Sequence, residues 1–314
     1  MIEKSAQSVN NQQPEFCNNR INGKKSLLIK VKDEEIKIIK TNPSLVIKVM
    51  KEGCTGYFKP CMKKGNKEVF DNLKNKLAYE SLAKVFGLSE YIPHTDYCVL
   101  KTDKKELVGC FQVPSKGSEI WKIPSWLRVK MILPEFQRAL SKMRLFDSLC
   151  HELDHSLNNY RPIISNNTEF ISVSMFDNGG LGTFGRTSKI YCKTYYGLDP
   201  LFTDDNHFTI PHQDDELINK ILNISFREVN SALSPYVSID SILFTYLRIK
   251  KIRKAVKKDS RRGYLQRLTQ DQWSQKTIDD ELSGRYGRTY LFSLVHDWGG
   301  DGVSADDIQK IEGK

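Results

Sequence analysis

Asp154, Asn159 and Asp177 are oxygen-bearing side chains placed where chain segments turn. Asp154 and Asn159 lie five residues apart in LDHSLNNY, directly after an apolar helical pattern, while Asp177 follows the alternating stretch FISVSMF and opens DNGGLGTFG. Passing a phosphoryl group to a hydroxyl needs a carboxylate to orient the acceptor and take its proton. Mg²⁺ bridging nucleotide phosphates takes oxygen ligands from a carboxylate and an amide. Asp154 suits the first role; Asn159 and Asp177 suit the second. Glycines behind Asp177 let the backbone turn sharply beside a ligand. Lys59, in YFKP after a glycine-containing hairpin, is a strand lysine of the kind that holds nucleotide α- and β-phosphates. Taken singly, each residue also fits a plainer role. Asp154 and Asn159 suit loops, Asp177-Asn178-Gly179 suits a hairpin turn, and Lys59 suits an exposed strand end.

The elements that must position these side chains are legible as periodicities. SLLIKVK and EEIKIIK alternate as strands do, and SLVIKVMKEGCTGYFKPCMK gives two β runs around a glycine-rich turn. VFDNLKNKLAYESLAKVFGL places Val69, Leu73, Leu77, Tyr79, Leu82, Val85 and Phe86 near helical spacing, with Gly87 as the C-terminal cap. DYCVLKTD and ELVGCFQVP read as a strand pair. From Pro134 to Leu153 the apolar residues Phe136, Leu140, Met143, Phe146, Leu149, Cys150 and Leu153 share a helical face, and helices are expected again over 214–233 and 238–258. The expected fold is α+β: a β-rich lobe with one long helix, then a mainly helical lobe, crossing over near Gln112 to Trp126. The expected organisation is a flexible polar tail over 1–24, a nucleotide-binding lobe over 25–115, a lobe carrying the catalytic and metal-binding loops over 116–245, and a basic helix with a C-terminal extension over 246–314.

In this order, strand lysine, LAYESLAKVFGLSEYIPHT, GCFQVP, FDSLCHELDHSLNNY and FDNG, the chain resembles atypical kinases of the protein-kinase-like superfamily: the group of the HipA toxins, the phosphatidylinositol 3- and 4-kinases and the Fam20 secretory kinases. The likeness covers roughly 36–185, with DHSLNN and FDNGGLGTFG standing for that group's D-[R/G]-H-x-x-N and D-N-G motifs. The resemblance implies a two-lobed protein-kinase-like fold, ATP and Mg²⁺ or Mn²⁺ as cofactors, Lys59 on the phosphates, Asp154 as catalytic base, and Asn159 and Asp177 as metal ligands. It sets Gln112, Val113 and Pro114 at the hinge that touches adenine. Lys76 falls where the lysine's partner glutamate usually sits, with Glu80 and Glu68 as substitutes, of which Glu80 is favoured. KTNPS lacks the usual phosphate-loop glycines, leaving the Thr41 and Ser44 hydroxyls for that task. His155 stands where the group has arginine or glycine.

Composition bounds the partners. The chain has 314 residues, 39% hydrophobic and 27% charged, with no run of eighteen apolar residues and no apolar signal core at its start. Neither a membrane span nor export is expected. Seven dispersed cysteines without a CxxC pair argue against a disulfide framework or zinc site and fit a reducing cytoplasm. The formal charge of +10 is concentrated in 246–268, where ten Lys or Arg meet one acid. That segment reads as a helix with Leu247, Ile249, Ile252 and Val256 on one side and a basic face opposite, either solvated or turned to an anionic partner. Asp279, Asp280 and Glu281 are possible internal partners for it. A kinase acting on a protein Ser, Thr or Tyr hydroxyl is the first reading. The second is a phosphoinositide kinase held on anionic lipid through 246–268, with WKIPSW (121–126) the one candidate apolar contact. A non-catalytic nucleic-acid-binding module is the third; no recognition helix, RNP motif or zinc finger supports it.

Overall fold

Period-two alternation builds the first half of the molecule. The computed structural model describes residues 16–21, 24–40, 45–51, 54–60, 67–114, 117, 134–152, 159–165, 169–175, 183–190 and 201–282. Within these, Phe16–Ile21 (β1), Lys24–Lys30 (β2), Ile36–Lys40 (β3), Val46–Lys51 (β4), Cys54–Pro60 (β5), Thr95–Lys101 (β6) and Glu106–Gln112 (β7) form one seven-stranded sheet in the order β1-β2-β6-β7-β5-β4-β3. All pairs are antiparallel except β2 with β6. Ile29, Val31, Ile47, Val49, Phe58, Cys98, Leu100 and Phe111 bury together as this sheet's core. Residues 16–21, expected in the polar tail, instead pair with β2 from Phe16 opposite Leu27 to Ile21 opposite Lys24. Pairing through the backbone at a sheet edge does not need a strong side-chain pattern, so it left little signal in FCNNRI.

The close approach of β5 and β7 depends on one missing side chain. Gly109 sits opposite Pro60, and a Cβ there would lie 2.2 Å from the Lys59 carbonyl oxygen and 2.8 Å from Pro60 Cα. Gly109→Ala must therefore push the backbone carrying Lys59 away from its neighbour. The expected loss of stability is about 2–3 kcal/mol; an unchanged urea midpoint would contradict this packing.

Helix Lys67–Phe86 (α1) ends as its sequence predicts. Gly87 takes a left-handed φ of +75, and Leu88 donates its N–H to the Ala83 carbonyl at 2.9 Å, closing the helix with a buried Leu88 side chain. The chain then divides into two compact units, one of Met1–Leu73 with His94–Pro114 and one of Lys74–Pro93 with Ser115–Lys314. The boundary falls within α1, so the helix contributes to both.

The second unit contains Pro134–Cys150 (α2), the hairpin Tyr160–Ser165 (β8) and Glu169–Met175 (β9), His212–Asp214 (β10), Asp215–Asn223 (α3), Phe226–Leu233 (α4), Ile239–Arg261 (α5), Gln266–Leu268 (β11) and Gln270–Leu282 (α6). Its core runs from Leu82 and Phe86 through Met143, Phe146 and Leu149 to Ile218, Val229, Ile249 and Ile252. Capping explains the helix starts: Asp214, Ser225 and Ser238 each accept a backbone N–H of the first turn that follows them. The α+β class is as expected, a β-sheet unit with one long helix followed by a mainly helical region, matching a two-lobed protein-kinase-like architecture.

Candidate functional site

In the sheet unit, strand alternation decides where Lys59 faces. Gly56, Phe58 and Pro60 are buried, with Phe58 in the sheet core, so Tyr57 and Lys59 occupy the other face and are half-buried. Cross-strand register then sets the neighbours: Lys59 lies opposite Cys110, which lies opposite Tyr97, and Tyr57 lies opposite Gln112, which lies opposite Thr95. Lys59 and Gln112 therefore share a sheet face in adjacent rows. Gln112 is buried, while Val113 is 44% exposed and donates its backbone N–H to the His94 carbonyl at 3.1 Å.

In the second unit Glu80 is buried on α1, and its Oε1 pairs with Lys84 Nζ at 2.7 Å. Lys76, one turn earlier, is buried as well. The end of α2 is tied down on several sides. Asp147 accepts from Tyr79 Oη at 2.5 Å and from Tyr160 Oη at 2.6 Å, joining α1, α2 and β8 through one buried carboxylate. Tyr79 also meets Phe146 edge-on, with ring centroids 4.9 Å apart.

Helix α2 stops at Cys150, three residues before the expected end at Leu153. The cause is His151, which takes a left-handed φ of 59, so that Glu152 N–H returns to the Asp147 carbonyl at 2.9 Å. That is the geometry usually supplied by glycine, and a histidine there gives no sequence cue. The Cys150 carbonyl accepts from Phe184 N–H at 2.8 Å, and Glu152 Oε2 accepts from Thr183 Oγ1 at 2.7 Å. Phe184 also has a left-handed φ, 58, with its ring buried. Non-glycine residues in this region are held there by their surroundings and concentrate at functional sites. Two such residues flank one hydrogen bond here. On the other side, Tyr160 pairs with Met175, putting Asn159 at the end of the hairpin where β9 finishes. The described ends of 153–158 and 176–182 therefore meet at both sides: Glu152 with Thr183, and Tyr160 with Met175.

Arg248 holds the same region from α5. Its side chain is fully buried, donating from Nε to the Leu149 carbonyl at 2.8 Å, from Nη1 to the carbonyls of Gly185 at 3.1 Å and Thr187 at 2.5 Å, and from Nη2 to Thr245 Oγ1 at 2.9 Å. Burial lowers the guanidinium to about 10, which leaves it charged at neutral pH. Carbonyl dipoles at the negative end of α2 offset part of that desolvation.

Other buried groups shift in the opposite sense. Burial, then the Asp147 charge, pushes the Tyr79 phenol well above 10.0; burial, then the Asp147 charge, likewise raises the Cys150 thiol well above 9.0. Burial also raises Tyr91. These three keep their protons in the folded chain where the unfolded chain releases them. Their stabilisation is complete below their ordinary values and is lost progressively above them. Arg248 runs the other way above about 10, one group against three. The thermal midpoint is expected to hold to about pH 8.5 and fall by pH 10.5, and a flat alkaline limb would contradict these environments.

The basic segment 246–268 departs from the single face expected of it. Arg248 lies inside, and Arg253 donates to the carbonyls of Ile221, at 2.8 Å, and Ile224, closing the end of α3. Lys251 reaches Ser188 Oγ at 3.2 Å, Lys258 approaches His207 Nε2 at 2.9 Å, and Arg267 pairs with Asp215 at 2.6 Å. Ile249, Ile252 and Val256 are buried as expected, whereas Leu247 is 42% exposed, because Arg248 occupies the inward position beside it. Lys250, Lys254, Lys257 and Arg261 stay exposed on one helical line.

Thr41, Ser44, Asp154, His155 and Asp177 lie outside the described residues, as do 121–126 and 283–314. Among the described residues no three His, Cys, Asp or Glu gather to hold a metal, and no helix is long and apolar enough to cross a membrane. No protein-family model and no curated protein matches the chain. Among solved structures it is similar to the crystal structure of a Helicobacter pylori proinflammatory kinase, CtkA, at 13% identity and a TM-score of 0.44, over 80% of this chain and 98% of that one.

Proposed function

We propose that this protein is a phosphotransferase of the protein-kinase-like type that passes the γ-phosphoryl group of ATP to a Ser, Thr or Tyr hydroxyl of a protein. The observation that carries this reading is the pairing of the described ends of 153–158 and 176–182 on both sides. Glu152 is two residues from Asp154 and Met175 is two residues from Asp177, about 7 Å of extended chain in each case. Glu152 is bonded to Thr183, and Met175 pairs with Tyr160 beside Asn159. A carboxylate base and an amide–carboxylate metal pair on such short tethers have the reach to serve one reacting phosphoryl group. The donor set fits Mg²⁺, since the amide oxygen of Asn159, the carboxylate of Asp177 and nucleotide oxygens are all hard ligands. When bound, the metal neutralises phosphate charge.

Asp154 takes the proton of the acceptor hydroxyl as its oxygen bonds to the γ-phosphorus and the bond to ADP breaks. Lys59 binds the α- and β-phosphates from the sheet face it shares with Gln112. Adenine meets the chain at Gln112 and Val113. Because the Val113 N–H already serves His94, its carbonyl oxygen is the group offered to the adenine amine. Thr41 and Ser44 supply hydroxyls to the phosphates.

A second reading, an anionic-lipid acceptor, is favoured by one feature: exposed Ile239, Leu243 and Leu247 precede exposed Lys250, Lys254, Lys257 and Arg261 on one line of α5. The test is a thermal-shift titration with ATP, with and without Mg²⁺, followed by γ-labelled ATP with protein extract or anionic liposomes as acceptor. Mg²⁺-dependent stabilisation and label in protein are expected. Label confined to lipid selects the second reading, and no nucleotide effect removes both.

A further inference from the structure

We propose that Arg248 is a positioning residue that sets the spacing between the backbone leading into 153–158 and the backbone leaving 176–182, an inference that rests on the phosphotransfer reading for its effect on metal. Among the described residues its guanidinium is the one group on α5 that bonds to both segments: the Leu149 carbonyl on one side, the Gly185 and Thr187 carbonyls on the other. Among the described residues no carboxylate pairs with it. The cation is committed to main-chain oxygen atoms, and Thr245 Oγ1 fixes the plane of the fork at 2.9 Å. Lysine cannot replace it, because one ammonium nitrogen lacks the reach of a planar fork with donors at opposite ends. Leu149 stands five residues before Asp154, and Gly185 eight residues after Asp177. A change in the separation of these anchors is carried to the described residues at the ends of 153–158 and 176–182, Glu152 and Thr183.

Helix packing alone would also put an arginine here, and Arg253 supplies the comparison. It lies on the same helix and also clamps carbonyls, those of Ile221 and Ile224, but among the described residues it bonds to neither 149–152 nor 183–187. The experiment uses the full chain with Arg248→Lys, Thr245→Val and Arg253→Lys. Hydrogen exchange is read in peptides over 150–160, 176–190 and 215–233, and the Mg²⁺ concentration giving half-maximal ATP stabilisation is read by thermal shift.

Arg248→Lys is expected to speed exchange at 150–160 and 176–190 together, leave 215–233 as in wild type, and raise the Mg²⁺ midpoint about 10-fold, the low end of effects from groups that orient metal ligands. Thr245→Val, which only loosens the fork, gives the same pattern at about 2- to 3-fold and decides the matter if Arg248→Lys does not fold. Arg253→Lys speeds exchange at 215–233 and leaves the Mg²⁺ midpoint in place. The proposal is overturned by an Arg248→Lys protein whose exchange rises evenly along the chain, or whose loops loosen with no movement of the Mg²⁺ midpoint. If wild-type protein shows no Mg²⁺-dependent stabilisation, the phosphotransfer reading fails, and the exchange pattern still decides whether Arg248 joins the two segments.

Discussion

Asp177→Ala is expected to reduce label transfer from γ-labelled ATP by about 1,000-fold or more and to remove the Mg²⁺ dependence of nucleotide stabilisation. Losing a metal ligand forfeits charge neutralisation worth several kcal/mol in the transition state, and each 1.36 kcal/mol is tenfold in rate. Asp154→Ala should separate the two steps. Transfer falls about 100- to 10,000-fold, the range for a lost general base, while Mg²⁺·ATP still raises the melting temperature. The contrast matters more than either value, because a variant that only damages the fold lowers binding and transfer together. If Asp177→Ala and Asp154→Ala both transfer label as wild type does, the assigned roles are wrong.

Asp147→Ala is expected to have the largest effect on stability. The carboxylate is buried and accepts from two phenols on different elements, Tyr79 on α1 and Tyr160 on β8. Its removal strips a partner from two buried hydroxyls at about 1–3 kcal/mol each, or about 4 kcal/mol together. That corresponds to a fall of roughly 10 °C in a unit of this size. Asp147→Asn keeps an acceptor and should lose less, and Tyr160→Phe, which removes one bond only, about 1–2 kcal/mol. Circular-dichroism melts of the three variants check the ranking. If Asp147→Ala melts as wild type does, the carboxylate does not join these elements.

The sequence carried most of the strands and helices because their signals are local. Ile47 and Val49 flank Lys48, and Phe58 lies between Tyr57 and Lys59, so the buried positions of β4 and β5 and the sidedness of Lys59 follow from period two. Gly87 marks the end of α1 because glycine is the usual residue at a left-handed position. His151 marks the end of α2 without any such cue, so the apolar spacing runs on to Leu153, three residues past the helix's end at Cys150. Arg248 was hidden for a different reason. Among ten cations in 246–268 composition does not separate the one whose neighbours bring backbone carbonyls to it. Its place with Thr245, Ile249 and Ile252 on one helical face is the sign the sequence carries, against the general tendency of arginine to stay in water. Asp147, inside the apolar pattern of FDSLC, was visible in the same way and becomes meaningful only once Tyr79 and Tyr160 are seen to donate to it.

The most direct measurement is a crystal structure with Mg²⁺ and a non-hydrolysable ATP analogue. Lys59 Nζ is expected about 3 Å from an α- or β-phosphate oxygen. Side-chain oxygens of Asn159 and Asp177 are expected about 2.1 Å from the metal, with Asp154 facing the γ-phosphoryl group. A nucleotide bound away from Lys59, or a metal that touches neither Asn159 nor Asp177, would contradict these roles.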